Sequence, residues 1–108
     1  IRVTRIVDTF LEHARIWYFG NGGNPKLFLG SPDWMRRNLY RRIEAVTPIL
    51  DPDAKQELID MLSIQLSDKR KACFVDENLH NCWKSAHPLK EKVRSQYTFY
   101  EYLKEKIE

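Results

Sequence analysis

Apolar residues fall at two different spacings along this chain of 108 residues, and the switching between them sets out the expected elements. Between residues 4 and 13 (TRIVDTFLEH), Ile6, Val7, Phe10 and Leu11 recur at helical spacing, which predicts a helix over 5–12 with Thr4 as its N-cap. RIWYF (15–19) and KLFL (26–29) are aromatic and apolar runs of strand length. GNGGNP between them supplies residues that tolerate positive φ, so the two runs are expected as neighbouring strands joined by a hairpin or short loop. Residues 30–40 are polar and read as a loop with one helical turn, and RIEAVTPIL (42–50) is a third strand run.

Asp51-Pro52 marks a helix start, with a carboxylate at the N-cap and proline at the first helical position. The helix is predicted over 52–66, with Ala54, Leu58, Met61, Leu62 and Leu66 on one face. KACFV (71–75) is a fourth strand run and residues 76–88 are polar and irregular. His87-Pro88 then opens a last helix over 89–106, with Val93, Tyr97, Tyr100, Leu103 and Ile107 in register. Strands alternating with helices give the α/β class. The expected arrangement is one mixed sheet of the runs 15–19, 26–29, 42–48 and 71–75, flanked by helices. There is no internal repeat and no low-complexity segment.

Composition narrows the class. A hydrophobic share of 43% with 12% aromatics predicts a packed single domain over 1–108 with a modest core. The net charge of +3, from 18 Lys+Arg against 15 Asp+Glu, is too small to imply a nucleic-acid partner. The basic residues are nevertheless clustered: Arg36, Arg37, Arg41 and Arg42 fall within seven positions, a local arrangement suited to a polyanion. Two cysteines, Cys73 and Cys82, are too few for a disulfide scaffold and read as reduced thiols of a cytosolic protein. Cys73, His80, Cys82 and His87 lack the paired spacing of a zinc module, so no metal site is expected. No apolar run reaches the length of a membrane span, and no signal peptide is visible. The chain starts at Ile1 in sequence that already looks structured, and so reads as a piece of a longer protein.

The candidate chemistry lies in His13-x-Arg15 and Gly30-Ser31-x-Asp33-Trp34-Met35-x-Arg37-Asn38. Imidazole takes up or releases a proton, or attacks phosphorus, near neutral pH. Guanidinium offers a planar fork of donors that suits phosphate oxygens. Arg15, two residues beyond His13, would share its strand face. The plainer role for His13 is to cap the end of the first helix, worth roughly 0.3–1 kcal/mol. Gly30 would let the backbone approach a ligand and Ser31 would donate a hydrogen bond to it. Asp33 either caps a short helix over Trp34 to Arg37 or holds the loop and orients His13 or an arginine. Trp34 and Met35 are assigned to the core, and Arg41 and Arg42 to opposite faces of the third strand. Tyr97, Phe99, Tyr100 and Tyr102 are expected to pack against the sheet. Together these residues point to phosphoryl transfer, with only half of the apparatus present.

The motifs also carry a resemblance. Ile6-Val7-x-x-Phe10-Leu11-Glu12-His13-x-Arg15 and Ser31-x-Asp33-Trp34-Met35-x-Arg37-Asn38-x-x-Arg41-Arg42-x-Glu44 resemble segments of bacterial polyphosphate kinases. Thr47-Pro48, Asp51-Pro52 and Gln65-Leu66-x-Asp68-x-x-Lys71-Ala72 continue the likeness, which is dense over residues 4 to about 75 and loose over the last helix. It is a likeness to the last domain of that enzyme, distantly similar in turn to one half of a phospholipase D-type fold. The resemblance implies reversible transfer of the ATP γ-phosphate to inorganic polyphosphate, through a phosphohistidine carried by the preceding domain. His13 would be the second essential histidine, facing the nucleotide, with Arg15 and Ser31 contacting phosphate and Asp33, Arg37 and Asn38 in support. It further implies magnesium bound mainly outside this segment, a self-associating enzyme, and a cytoplasmic location peripheral to the inner membrane.

Two other functions are weighed against this one. A polyanion-binding module without chemistry would use Ser31 and the arginine cluster and would tolerate loss of His13. A phospholipase D-type phosphodiesterase half pairs two H-x-K half-sites with a later G-S-x-N turn. Here Arg15 stands at the lysine position, Asp33 at the asparagine position, and Gly20 where that superfamily has an aspartate. These departures argue against hydrolysis while leaving a phosphate-gripping arrangement.

Overall fold

The computed structural model describes all residues 1–108. Nine regular elements follow in chain order: β1 (Thr4–Ile6), β2 (Ile16–Phe19), β3 (Lys26–Gly30), α1 (Arg36–Tyr40), β4 (Val46–Pro48), α2 (Pro52–Ser67), β5 (Ala72–Val75), β6 (Asn81–Trp83) and α3 (Ser95–Ile107). The chain forms two compact units, one of Ile1–Leu11 with Ile59–Glu108 and the other of Glu12–Leu58. The α/β class stands. The single mixed sheet does not: each unit has its own antiparallel sheet, in the orders β1-β5-β6 and β2-β3-β4.

The sheet expectation fails because the first segment follows the period of a strand and not that of a helix. Val3, Thr4, Ile6 and Val7 are β-branched, and β-branched side chains fit a pleated surface better than a helix. Residues 4–6 therefore form β1, with Thr4 opposite Phe74 and Ile6 opposite Ala72. The helix expected over 5–12, its Thr4 cap included, is absent. With β1 as a partner, β5 leaves the other strands. The segment 76–88 is not wholly irregular either, since Asn81–Trp83 form β6 through a tight turn. In that turn Asp76 Oδ1 accepts the backbone N–H groups of Asn78 and His80 at 2.9 and 2.8 Å.

The unit Glu12–Leu58 is built on the β2–β3 hairpin, with Ile16 opposite Leu29 and Phe19 opposite Lys26. Asn21, Gly22 and Gly23 all take positive φ in the connecting turn, as GNGGNP predicted. Leu27 is buried at the centre of β3, and Phe19 and Phe28 pack edge to face. The third run contributes only Val46–Pro48 as β4, and Arg41 and Arg42 lie outside any strand. The Asp51 expectation holds: its Oδ1 accepts the N–H of Ala54 at 2.8 Å, starting α2 at Pro52.

In the other unit the buried apolar residues are Ala72 and Cys73 of β5, and carboxylates fix much of the rest. Asp68, with no exposed surface, accepts from Arg70 N at 2.8 Å, Lys71 N at 2.7 Å and Ser95 N at 2.8 Å. It thus closes the turn after α2 and caps the N-terminus of α3 at once. Lys84 Nζ satisfies the Leu66 carbonyl at the last turn of α2. Sequence placed the last helix at 89–106, but residues 88–90 form a separate 3-10 turn and α3 starts at Ser95, where this remote cap acts. Phe99 and Tyr102 stack on one another and Tyr102 Oη donates to Asp60 of α2, while Tyr97 and Tyr100 are exposed rather than packed as expected.

Asp8 is the second buried carboxylate. Its side chain is 1% exposed and pairs with Arg94, with Nη2–Oδ1 at 2.5 Å and Nε–Oδ2 at 2.8 Å. Beside it, Gln96 bonds both the N–H and the carbonyl of Phe10, as a neighbouring strand would. The hydrogen bond from Arg94, above all, lowers the Asp8 carboxyl from 3.8 to about 2. The unfolded chain therefore binds this proton first as pH falls. The pair contributes fully above about pH 4 and its contribution is lost as pH drops through about 2, a total of about 2 kcal/mol. Urea unfolding should show Asp8→Asn less stable than the natural chain by about that amount at pH 5, with the gap closing below about pH 3.

Candidate functional site

All six residues singled out by sequence lie in the unit Glu12–Leu58, and strand register explains how they meet. Continuing the β2–β3 pairing past Ile16↔Leu29 sets Arg15 opposite Gly30, and Gly30 N donates to Arg15 O at 3.1 Å. Continuing β3–β4 past Gly30↔Val46 sets Ser31 opposite Ala45, with Ser31 N donating to Ala45 O at 3.0 Å. The end of β3 is thus clamped from both sides. Gly30 is required there by space: a Cβ would lie 2.8 Å from Trp17 Cζ3, 2.9 Å from Val46 Cγ2 and 3.0 Å from the Ala45 carbonyl.

Arg15 and Asp33 form the main contact of the site. Arg15 Nε donates to Asp33 Oδ1 at 2.9 Å and Nη2 to Oδ2 at 3.3 Å, the two-pronged geometry that suits guanidinium and carboxylate. A third donor, Nη1, reaches the His13 backbone carbonyl at 3.0 Å. Asp33 therefore holds the loop and orients an arginine; it does not cap α1, whose N-cap is Met35 with no side-chain bond. Arg15 meets His13 through the main chain, leaving the imidazole exposed and without a hydrogen bond.

Glu44 organises the other side. Ser31 Oγ donates to Glu44 Oε2 at 2.6 Å and Asn38 Nδ2 to Oε1 at 2.9 Å, while Ala45 N donates to Ser31 Oγ at 3.2 Å. Asn38 is buried, and its Oδ1 has no partner. Glu44 stands in the sequence motif, whose spacing alone does not indicate this role. The signal was available in the strand register, because a residue opposite Ser31 must fall near position 45. Ser31 spends its proton on Glu44, so contact with a phosphate would require that proton to be redirected.

The electrostatics follow. The Arg15 hydrogen bond holds the Asp33 carboxyl below its ordinary range, helped by the charges of Arg15, Arg37 and His13 and opposed by partial desolvation. Glu44 is held down by the hydrogen bonds from Ser31 and Asn38, against partial desolvation, with help from the charges of Arg42 and Arg15. Arg15 is raised in turn by Asp33. Three guanidiniums thus act on two carboxylates and hold both ionised. Arg37 and Arg42 join this cluster through charge alone. Trp34 is 83% exposed and Met35 45%, so neither is core: α1 is too short to fold them under. Gly20 has no atom within 4 Å of where a Cβ would lie. No three His, Cys, Asp or Glu side chains converge on a metal position. Asp33 and Glu44 are both committed to neighbours.

The fold sets an arginine-held histidine loop at the end of an antiparallel sheet, and comparison with known proteins identifies the family. The family model described as "Polyphosphate kinase C-terminal domain 2" matches residues 1–96. The polyphosphate kinase of Escherichia coli (strain K12) is 45% identical over 104 residues, 96% of this chain and 15% of that protein. That of Vibrio vulnificus (strain YJ016) is 43% identical over the same shares. The crystal structure of polyphosphate kinase from Porphyromonas gingivalis superposes with a TM-score of 0.90 at 52% identity, covering 97% of this chain and 16% of the other. The chain belongs to the polyphosphate kinase C-terminal domain family and spans about 15% of the length of the curated relatives it matches. No helix in it is long and apolar enough to cross a membrane.

The crowding at Gly30 gives a direct check. Gly30→Ala should cost about 1–3 kcal/mol in urea unfolding, the usual penalty for an overpacked position. Gly20→Ala, which meets nothing, should stay within about 0.5 kcal/mol of the natural chain.

Proposed function

We propose that this chain is the C-terminal domain of a polyphosphate kinase, supplying one face of a site for reversible transfer of the ATP γ-phosphate to inorganic polyphosphate. The observation that carries the reading is the exposed imidazole of His13, free of hydrogen bonds, beside the Arg15–Asp33 pair on which the charge of Arg37 also acts. An imidazole placed in this way can donate a hydrogen bond or a proton to a phosphoryl oxygen. The guanidiniums of Arg15 and Arg37 can disperse charge on the moving group.

In this reading the nucleophilic histidine sits on the preceding domain of the same chain, and the transfer proceeds in two displacements through its phosphohistidine. His13 is the catalytic residue here, acting on the phosphoryl group from the opposite side. Arg15 contacts phosphate with the edge that Asp33 leaves open and positions the His13 backbone. Ser31 and Asn38 shape the loop through Glu44. Magnesium is held by residues outside this chain. The 108 residues alone turn over nothing, and the intact enzyme self-associates in the cytoplasm, peripheral to the inner membrane.

The test is His13→Ala in the intact enzyme. Acid–base or hydrogen-bond help of this kind is typically worth about 10²–10⁴-fold in rate. Phosphotransfer kcat/KM should fall by at least about 10²-fold with the thermal midpoint unchanged. Near-normal transfer by His13→Ala would reduce the chain to a polyanion-binding module.

A further inference from the structure

At the far end of β3 from Ser31, about 13 Å away by strand rise, the unit Glu12–Leu58 holds a cavity of about 330 Å³. Its apolar wall includes Pro25, Phe28 and Pro48, and its polar lining is Asn24, Lys26 and Lys55. Neither lysine belongs to any ion pair of the chain. The Phe28 ring is set edge to face against Phe19, at a centroid distance of 6.0 Å and an interplanar angle of 80°.

We propose that this cavity is a second anion site that takes a mononucleotide, its base against Phe28 and the two prolines and its phosphate between Lys26 and Lys55. The volume is at the small end of ligand sites, enough for one base, one sugar and one phosphate. An inorganic phosphate chain would satisfy the lysines and leave the apolar wall uncovered. An uncharged nucleoside would cover the wall and make no use of the two ammonium groups. A planar ring carrying an anion meets both demands, and lysine is a competent point-charge partner for phosphate. The Asn24 amide offers a donor and an acceptor to the base edge. The proposal does not depend on the phosphotransfer reading, since none of these residues belongs to the His13 cluster.

Photolabelling of the full chain with 8-azidoadenosine 5′-monophosphate tests it, with the labelled peptides read by mass spectrometry. Label should fall within residues 24–28 or 48–55. AMP should compete at least about tenfold better than adenosine or inorganic tripolyphosphate. Lys26→Ala/Lys55→Ala should cut labelling there by about tenfold or more, and Phe28→Leu, which keeps bulk and removes the ring, by about fivefold or more. His13→Ala should leave this labelling intact, so a failure of the catalytic reading would show separately, as retained turnover. Label confined to peptides around His13, label indifferent to the lysines, or tripolyphosphate competing as well as AMP would overturn the proposal.

Discussion

The guanidinium of Arg15 is where the site is tied together. Its three donors reach two segments far apart in sequence: the Asp33 carboxylate in the loop after β3, and the His13 carbonyl two residues upstream. Asp33 is partly open to water, so the pair gains little as an isolated ion pair. Its value is geometric. A planar fork bound at two oxygens permits one orientation, and that orientation fixes the backbone from which the His13 imidazole projects. Gly30, directly opposite Arg15, has no side chain and lets Trp17 and Val46 close over the end of β3.

The same economy runs through the rest of the chain. Fully buried apolar side chains are few, namely Leu27, Ala72 and Cys73. Irregular backbone is instead held by carboxylates that accept N–H groups or guanidinium. Asp68 joins the turn after α2 to the start of α3, Asp8 pairs with Arg94, and Glu44 binds Ser31 and Asn38. Buried charge is tolerated where every strong acceptor finds donors. Many large apolar side chains, among them Trp34, Ile43 and Leu50, remain exposed on this chain, which spans about 15% of the length of its curated relatives.

Local chemistry made some of this legible. Asp51-Pro52 announced α2, GNGGNP announced the β2–β3 turn, and the pairing of His13-x-Arg15 with Ser31-x-Asp33 gathered residues that do lie together. What escaped depends on partners distant in sequence. Residues 4–6 became a strand because β5 was there to pair with them, which helical spacing of Ile6, Val7, Phe10 and Leu11 could not reveal. The start of α3 is set by Asp68, twenty-seven residues earlier, and not by a cap of its own. Glu44 acquires its role only through the β3–β4 register. Trp34 and Met35 look like core residues by composition, yet the one short helix they precede offers nothing to bury them.

The central claim is that Asp33 acts through Arg15 to place His13, so the two side chains work as one device. A double-mutant cycle on phosphotransfer kcat/KM in the intact enzyme, using Arg15→Gln, Asp33→Asn and both together, tests this most directly. Residues that share one contact show strong coupling, whereas independent ones add. The account predicts that each single change lowers the rate and that the double variant is no slower than the worse single. Losses that multiply, or a normal rate with Asp33→Asn, would contradict it.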